Sequence, residues 1–156
     1  MKFYLVRHGQ YVWESAGARG PGLSAHGRAQ ARQAGAFLQA LGAKPTALWV
    51  SPYQRALETA GEIEGVLGTI PERLEERALL PEGDEEEVLQ LLAAWQAQDA
   101  QAEVVAVSHM GLVGRLARRL DPLAPGCFDL CTVAVFEASQ GAWKLVTSRD
   151  CGRLEA

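Results

Sequence analysis

Glu103-Val104-Val105-Ala106-Val107, followed at once by Ser108-His109, decides the fold. Four consecutive apolar residues with no polar alternation read as a strand buried on both faces, as in a parallel sheet. Leu112, Val113, Leu116 and Leu120 follow at helical spacing, so the strand runs directly into a helix. The same arrangement recurs upstream. Phe3-Tyr4-Leu5-Val6 is a short apolar run that ends in Arg7-His8-Gly9. Ala47-Leu48-Trp49-Val50 ends in Ser51-Pro52, ahead of Ala56, Leu57, Ala60 and Ile63 at helical spacing. Between these runs, Ser24 stands at an N-cap position, and Ala34, Phe37, Leu38 and Leu41 repeat at i, i+3, i+4, i+7 before Gly42 and Pro45. Asp84 and Glu87 resemble a capping box, and Val88, Leu91, Leu92 and Trp95 form the apolar face behind it.

Near the end, Val133 to Phe136 and Trp143 to Val146 read as two strands joined through Gln140-Gly141. Two stretches lack such a pattern. The segment holding Gly17, Gly20, Pro21 and Gly22 reads as a loop, and Gly68 to Gly83, broken by Pro71 and Pro81, reads as irregular. Strands and helices alternate without a repeat or linker. The pattern predicts an α/β domain over residues 1–156, with a mainly parallel sheet covered by helices on both faces.

The 156 residues suit one domain, and a chain of this size buries about 70% of its unfolded surface without metal or disulfide. A net charge of −4 excludes a nucleic-acid coat that works by bulk positive charge, although 12 of the 15 basic residues are Arg. No apolar run approaches the ~20 residues that cross a bilayer, and the apolar start stops at Arg7, short of a signal peptide. Cys127, Cys131 and Cys151 are an odd count with no histidine nearby, which reads as buried reduced thiols and a cytoplasmic protein. The acidic run from Glu82 to Glu87 reads as a solvated helix start rather than a cation site.

In open α/β sheets, ligands bind beyond the carboxyl ends of the strands. Those ends carry Arg7-His8, Ser51-Pro52 with Arg55 one turn on, and Ser108-His109. Two arginines and two histidines without a carboxylate make a site for an anion, and phosphate fits best. Guanidinium groups hold phosphate oxygens through paired N–H donors, and helix N-termini after Pro52 and His109 add backbone donors. One neutral imidazole can attack phosphorus, its protonation disfavoured by the arginines, while the second can be protonated to stabilise the phosphoryl group in flight. His26, just inside a helix start, reads as a surface residue. A zinc site from His8, His26 and His109 has no matching ligand spacing.

Four segments in order carry a resemblance: Leu5-Val6-Arg7-His8-Gly9-Gln10, Leu23-Ser24-Ala25-His26-Gly27-Arg28, Ser51-Pro52-Tyr53-Gln54-Arg55-Ala56-Leu57-Glu58-Thr59-Ala60 and Val107-Ser108-His109. Together they resemble the histidine phosphatase (phosphoglycerate-mutase-like) superfamily. The short length, Leu80-Pro81-Glu82-Gly83-Asp84 and Ser108-His109-Met110-Gly111 look most like its small bacterial phosphohistidine phosphatases. The resemblance implies a three-layer α/β/α sandwich and His8 as nucleophile. It implies Arg7, Arg55 and His109 as the remaining catalytic and substrate-binding groups, with no metal and no organic cofactor. Glu76, in Leu74-Glu75-Glu76, matches the family's Leu-x-Glu pattern for the proton-donating acid, with Glu75 and Asp84 as alternatives.

The chain departs from the family at Tyr11, where many relatives have threonine, and it lacks the asparagine common a few residues later. The expected function is hydrolysis of phosphohistidine or small phosphate monoesters, on a phosphorylated small molecule or phosphoprotein. A mutase-type phosphoryl transferase and a non-catalytic phosphate-binding module are the alternatives. Without length for closing insertions, the pocket is expected at the floor of an open, shallow cleft.

Overall fold

The computed structural model describes residues 1–153. Its first strand, β1 (Lys2–Arg7), leads into a hairpin of β2 (Tyr11–Gly17) and β3 (Gly20–Leu23), then α1 (Ala25–Ala40). β4 (Ala47–Val50) and α2 (Gln54–Leu67) follow, then β5 (Glu72–Glu75), a 3-10 turn at Arg77–Leu79 and α3 (Glu85–Gln98). β6 (Glu103–Ser108) runs into α4 (Leu112–Leu120), and β7 (Thr132–Ser139) and β8 (Ala142–Asp150) close the chain.

Six strands form one sheet in the order β5-β4-β6-β1-β7-β8. The first four are parallel, and β7 and β8 join antiparallel. The pleat sends alternate residues to opposite faces. Phe3, Leu5, Trp49, Val104 and Ala106 pack against α3 and α4 through Val88, Leu92, Leu112 and Leu116. Tyr4, Val6, Leu48, Val50, Val105 and Val107 pack against α1 and α2 through Ala34, Leu38, Ala60 and Ile63. Each central strand therefore reads as an unbroken apolar run because both its faces are covered. The expected layered α/β architecture with a mainly parallel sheet is the one observed.

Two segments differ from expectation. The glycine- and proline-rich stretch before Ser24 forms the β2–β3 hairpin, apart from the main sheet. The irregular stretch from Gly68 to Gly83 contains β5, an edge strand exposed at all four positions. With no position buried on either face it needs no apolar residues, so its sequence, Glu-Arg-Leu-Glu, gives no periodic signal. Leu41, placed on the apolar face of α1, is instead its exposed C-cap. Asp84 does cap α3, but its carboxylate accepts from the Glu86 N–H. Gln140 and Gly141 turn the final hairpin with φ of 52° and 79°, as a tight hairpin turn requires.

The start of α1 is locked to the turn after β1. A Cβ on Gly27 would stand 2.0 Å from the Gln10 carbonyl oxygen, and one on Gly9 would stand 2.7 Å from that of Gly27. Only glycine permits this approach, which fixes the backbone on which His8 is carried.

Candidate active site

Parallel register brings the strand ends together. Arg7 pairs with Ser108 across β1 and β6, and the His8 N–H donates to the Ser108 carbonyl at 3.0 Å. The next residues along, His8 and His109, have ring centroids 5.0 Å apart. On the other side of β6, the Ser51 N–H donates to the Val107 carbonyl at 3.1 Å, which puts the Ser51 side chain beside His109. Arg55, in the first turn of α2, has its guanidinium carbon 4.8 Å from the ring centroids of both Tyr11 and Tyr53. Those two rings stand 5.6 Å from His8 and 5.2 Å from His109 respectively. The structure thus gathers His8, His109 and Arg55 around two tyrosines, with Arg7 anchored next to His8 by a 2.7 Å bond to the Phe128 carbonyl.

Charge is unbalanced here. Among the described residues, neither Arg7 nor Arg55 has a carboxylate partner, whereas eight other arginine–carboxylate pairs are formed. Both are half-buried, and the Nε atom of each is buried without a hydrogen bond. Two such guanidinium groups favour an anion beside them. α2 and α4, whose N-termini follow the site's strand ends, have no side-chain cap, while α1 and α3 are capped by Ser24 and Asp84. Their first turns leave backbone N–H groups for an anion, although the Gln54 N–H already donates to the Arg19 carbonyl.

The two imidazoles have distinct surroundings. His8 Nδ1 donates to the Gly9 carbonyl at 2.8 Å, which leaves Nε2 as the unprotonated nitrogen. Burial pushes the His8 pKa down to about 4, with Arg55 and Arg7 adding to the shift and the Gly9 bond opposing it. Burial therefore does more than the arginines from which neutrality was expected. His109 is pushed further, to about 2, by burial and then by His8, Arg55 and Arg7. The protein's own groups thus hold His109 neutral, and the expected protonation against a phosphoryl group in flight would draw on that group's negative charge, which opposes them. Its Nε2 contacts Ser51 Oγ at 2.7 Å, and its Nδ1 is buried without a partner.

Glu76 is not brought into this cluster by any hydrogen bond. Its N–H donates to the Val50 carbonyl at 2.9 Å, so it sits at the same sheet edge as Ser51, but its carboxylate accepts from the Ala78 N–H at 3.2 Å. Glu75 pairs with Arg19 at 2.8 Å, and Asp84 caps α3. His26 is exposed on α1, as expected. Sequence reasoning assigned no role to Ser51, Tyr53 or Thr59. Thr59, fully buried, accepts from the Gly9 N–H at 3.1 Å and donates to the Arg55 carbonyl at 2.8 Å, tying the His8 turn to α2. Ser51 stood at a strand end and could have been found by the same rule that found the histidines.

The model of the histidine phosphatase superfamily (branch 1) matches residues 3–87. A 2,3-bisphosphoglycerate-dependent phosphoglycerate mutase from Xanthobacter autotrophicus is 41% identical over 68 residues, 41% of this chain. That match covers 33% of the mutase, so the chain spans about a third of the curated relative it resembles. Among solved structures, the protein histidine phosphatase SixA complexed with tungstate shares the fold at a TM-score of 0.89 and 24% identity, over 97% of each chain. A mutant phosphoserine phosphatase from Entamoeba histolytica, in complex with phosphoserine, shares it at 0.73 and 17% identity, over 96% of this chain and 97% of that one. A family model that covers more than half of the chain, including the first strand end and the helix that carries Arg55, places this protein in the histidine phosphatase superfamily.

Proposed function

We propose that the chain is a phosphatase that hydrolyses phosphohistidine or small phosphate monoesters through a covalent phosphohistidine intermediate on His8. The observation that carries this reading is a buried, neutral imidazole with a free Nε2, set beside two arginines that have no carboxylate partner. The lone pair of His8 Nε2 attacks phosphorus in line, and the bond to the leaving group breaks with its electron pair. Arg7, Arg55 and His109 hold the three equatorial oxygens. The departing atom takes up a proton, for which Glu76 is the proposed donor when the leaving group is an alkoxide. Water then attacks phosphorus, the P–N bond breaks, and inorganic phosphate leaves with His8 restored to neutrality.

The names of the relatives support both halves of the substrate class, since one is a protein histidine phosphatase and the other holds phosphoserine, a monoester. A mutase would return the phosphoryl group to a bound product. The hydrolytic reading is favoured by the two structural neighbours described above, both of which are named as phosphatases. Three free thiols, of which Cys131 and Cys151 are buried and Cys127, against expectation, is exposed, support a reducing compartment, taken as the cytoplasm.

Trapping the intermediate tests the reading. After brief incubation with substrate and an alkaline quench, a phosphoryl group should be found on His8, stable to alkali and lost in acid. His8→Ala should lack both adduct and activity. Turnover by His8→Ala near the parent rate would overturn the covalent mechanism.

A further inference from the structure

We propose that the phosphoryl group arrives on a planar ring and that Trp13 and Tyr53 bind that ring. The proposal deepens the phosphatase reading and rests on it for the position of the phosphate. A cavity of about 370 Å³ is lined by Arg55, Tyr53, Trp13, Gly20 and Pro21, among others. This volume lies within the range of small-molecule sites and exceeds what a phosphate group needs. Arg55, with its buried unpartnered Nε, supplies the anion-binding end. The remaining walls named are two aromatic rings, a proline and a glycine, a surface suited to the face of a ring.

Trp13 is the second observation. It is 72% exposed, a large apolar side chain left in water on the β2–β3 hairpin. Its position is set rather than accidental: Tyr11 meets it edge-on, with centroids 6.3 Å apart and planes at 80°, and Tyr11 itself meets His8. A line of rings therefore leads from the nucleophile to an indole that has most of its surface uncovered. A ligand ring stacked there would remove that surface from water and gain aromatic contact besides.

The charge in the cavity limits the rest of the substrate. Arg19 also lines it but is paired with Glu75 at 2.8 Å. Arg55 is thus the cavity's unpaired cation. A second anionic group, such as a carboxylate or a second phosphate, finds no free partner among these residues. The cavity fits a ring-bearing phosphate and disfavours a short polyanionic alkyl phosphate.

Non-hydrolysable phosphonates test this without depending on turnover. Calorimetric titration would compare benzylphosphonate with cyclohexylmethylphosphonate, which is more apolar but not planar, and with methylphosphonate. The parent should bind benzylphosphonate about three- to tenfold more tightly than the cyclohexylmethyl compound. Trp13→Ala should abolish that preference, and Trp13→Phe should keep most of it; because Trp13 is exposed, neither change touches the core. Equal binding of the three phosphonates, or a ring preference that survives Trp13→Ala, would overturn the ring site while leaving the phosphate site standing. Failure of every phosphonate to bind would overturn both. A ring preference in a protein that hydrolyses none of its substrates would support the ring site and sink the phosphatase reading.

Discussion

Ser51 Oγ lies 2.7 Å from Nε2 of His109 and also accepts the Tyr53 N–H at 3.3 Å. Ser51 is fully buried, so its hydroxyl proton needs an acceptor inside the protein, and His109 Nε2 is the one in reach. Nε2 then accepts, and in the neutral ring the proton sits on Nδ1, the nitrogen left buried without a partner. One hydroxyl thus decides that His109 offers a donor, not a lone pair, to a phosphate oxygen.

Ser51→Ala should free His109 to adopt either tautomer. A fall of roughly tenfold in kcat/KM is expected, the scale of one buried hydrogen bond, with the far-ultraviolet spectrum unchanged. Parent-like kinetics in this variant would mean that the tautomer is held by something else.

The two histidines also make stability depend on pH. In the folded protein His8 takes a proton only near pH 4 and His109 near pH 2, whereas in the unfolded chain both titrate near 6.5. Below pH 6.5 the unfolded state therefore binds the extra protons. Stability is complete above that pH and falls as the pH drops toward the folded values, by about 1.4 kcal/mol per pH unit per group. Between pH 6.5 and 5 each histidine contributes a loss of roughly 2 kcal/mol. Urea midpoints at pH 7 and pH 5 measure it. The drop should shrink in His8→Asn and shrink further when His109→Asn is added. An equal drop in the parent and the double variant would refute this assignment.

What the sequence could and could not disclose follows from burial. β1, β4 and β6 were legible because strands covered on both faces carry apolar residues at every position, and their ends led directly to Arg7, His8, Arg55 and His109. β5 was illegible because an exposed edge strand need not be apolar. The hairpin was hidden by its own glycines and proline, which permit a turn but also a loop. The contacts of the tyrosines around Arg55 were missed for another reason: Tyr11 comes from a separate element and leaves no spacing in the chain, and Tyr53, the N-cap of α2, lies outside its apolar periodicity. Thr59 was masked by lying on the inner face of a regular helix.

Arg55 tests whether the shape of the guanidinium matters or merely its charge. Its planar group lies over two tyrosine rings and presents forked donors, neither of which an ammonium reproduces. Arg55→Lys should lower kcat/KM by about 10² to 10³, by analogy with loss of a preorganised donor elsewhere. Vanadate should inhibit the variant much more weakly than the parent. Full activity in Arg55→Lys would reduce its role to diffuse charge.

The identity of the acid turns on what Glu76 is already doing. Its carboxylate caps the 3-10 turn by accepting the Ala78 N–H, a role that an amide oxygen can also fill. Glu76→Gln therefore keeps the cap and removes the transferable proton, separating structure from chemistry. An alkoxide leaves poorly without a proton, whereas aryl oxides and the nitrogen of a phosphoramidate leave more readily. Glu76→Gln should thus change aryl phosphate and phosphoramidate turnover by no more than about twofold, and lower alkyl phosphate turnover by about 10². An equal loss on every substrate would mean that the side chain acts only through the turn it caps. Glu75→Gln is the matched comparison, because Glu75 is the neighbouring carboxylate in the chain and is held by Arg19. If the alkyl-specific loss appears in Glu75→Gln and not in Glu76→Gln, the proton comes from the residue paired with Arg19, and the hairpin that carries Arg19 becomes part of the catalytic apparatus.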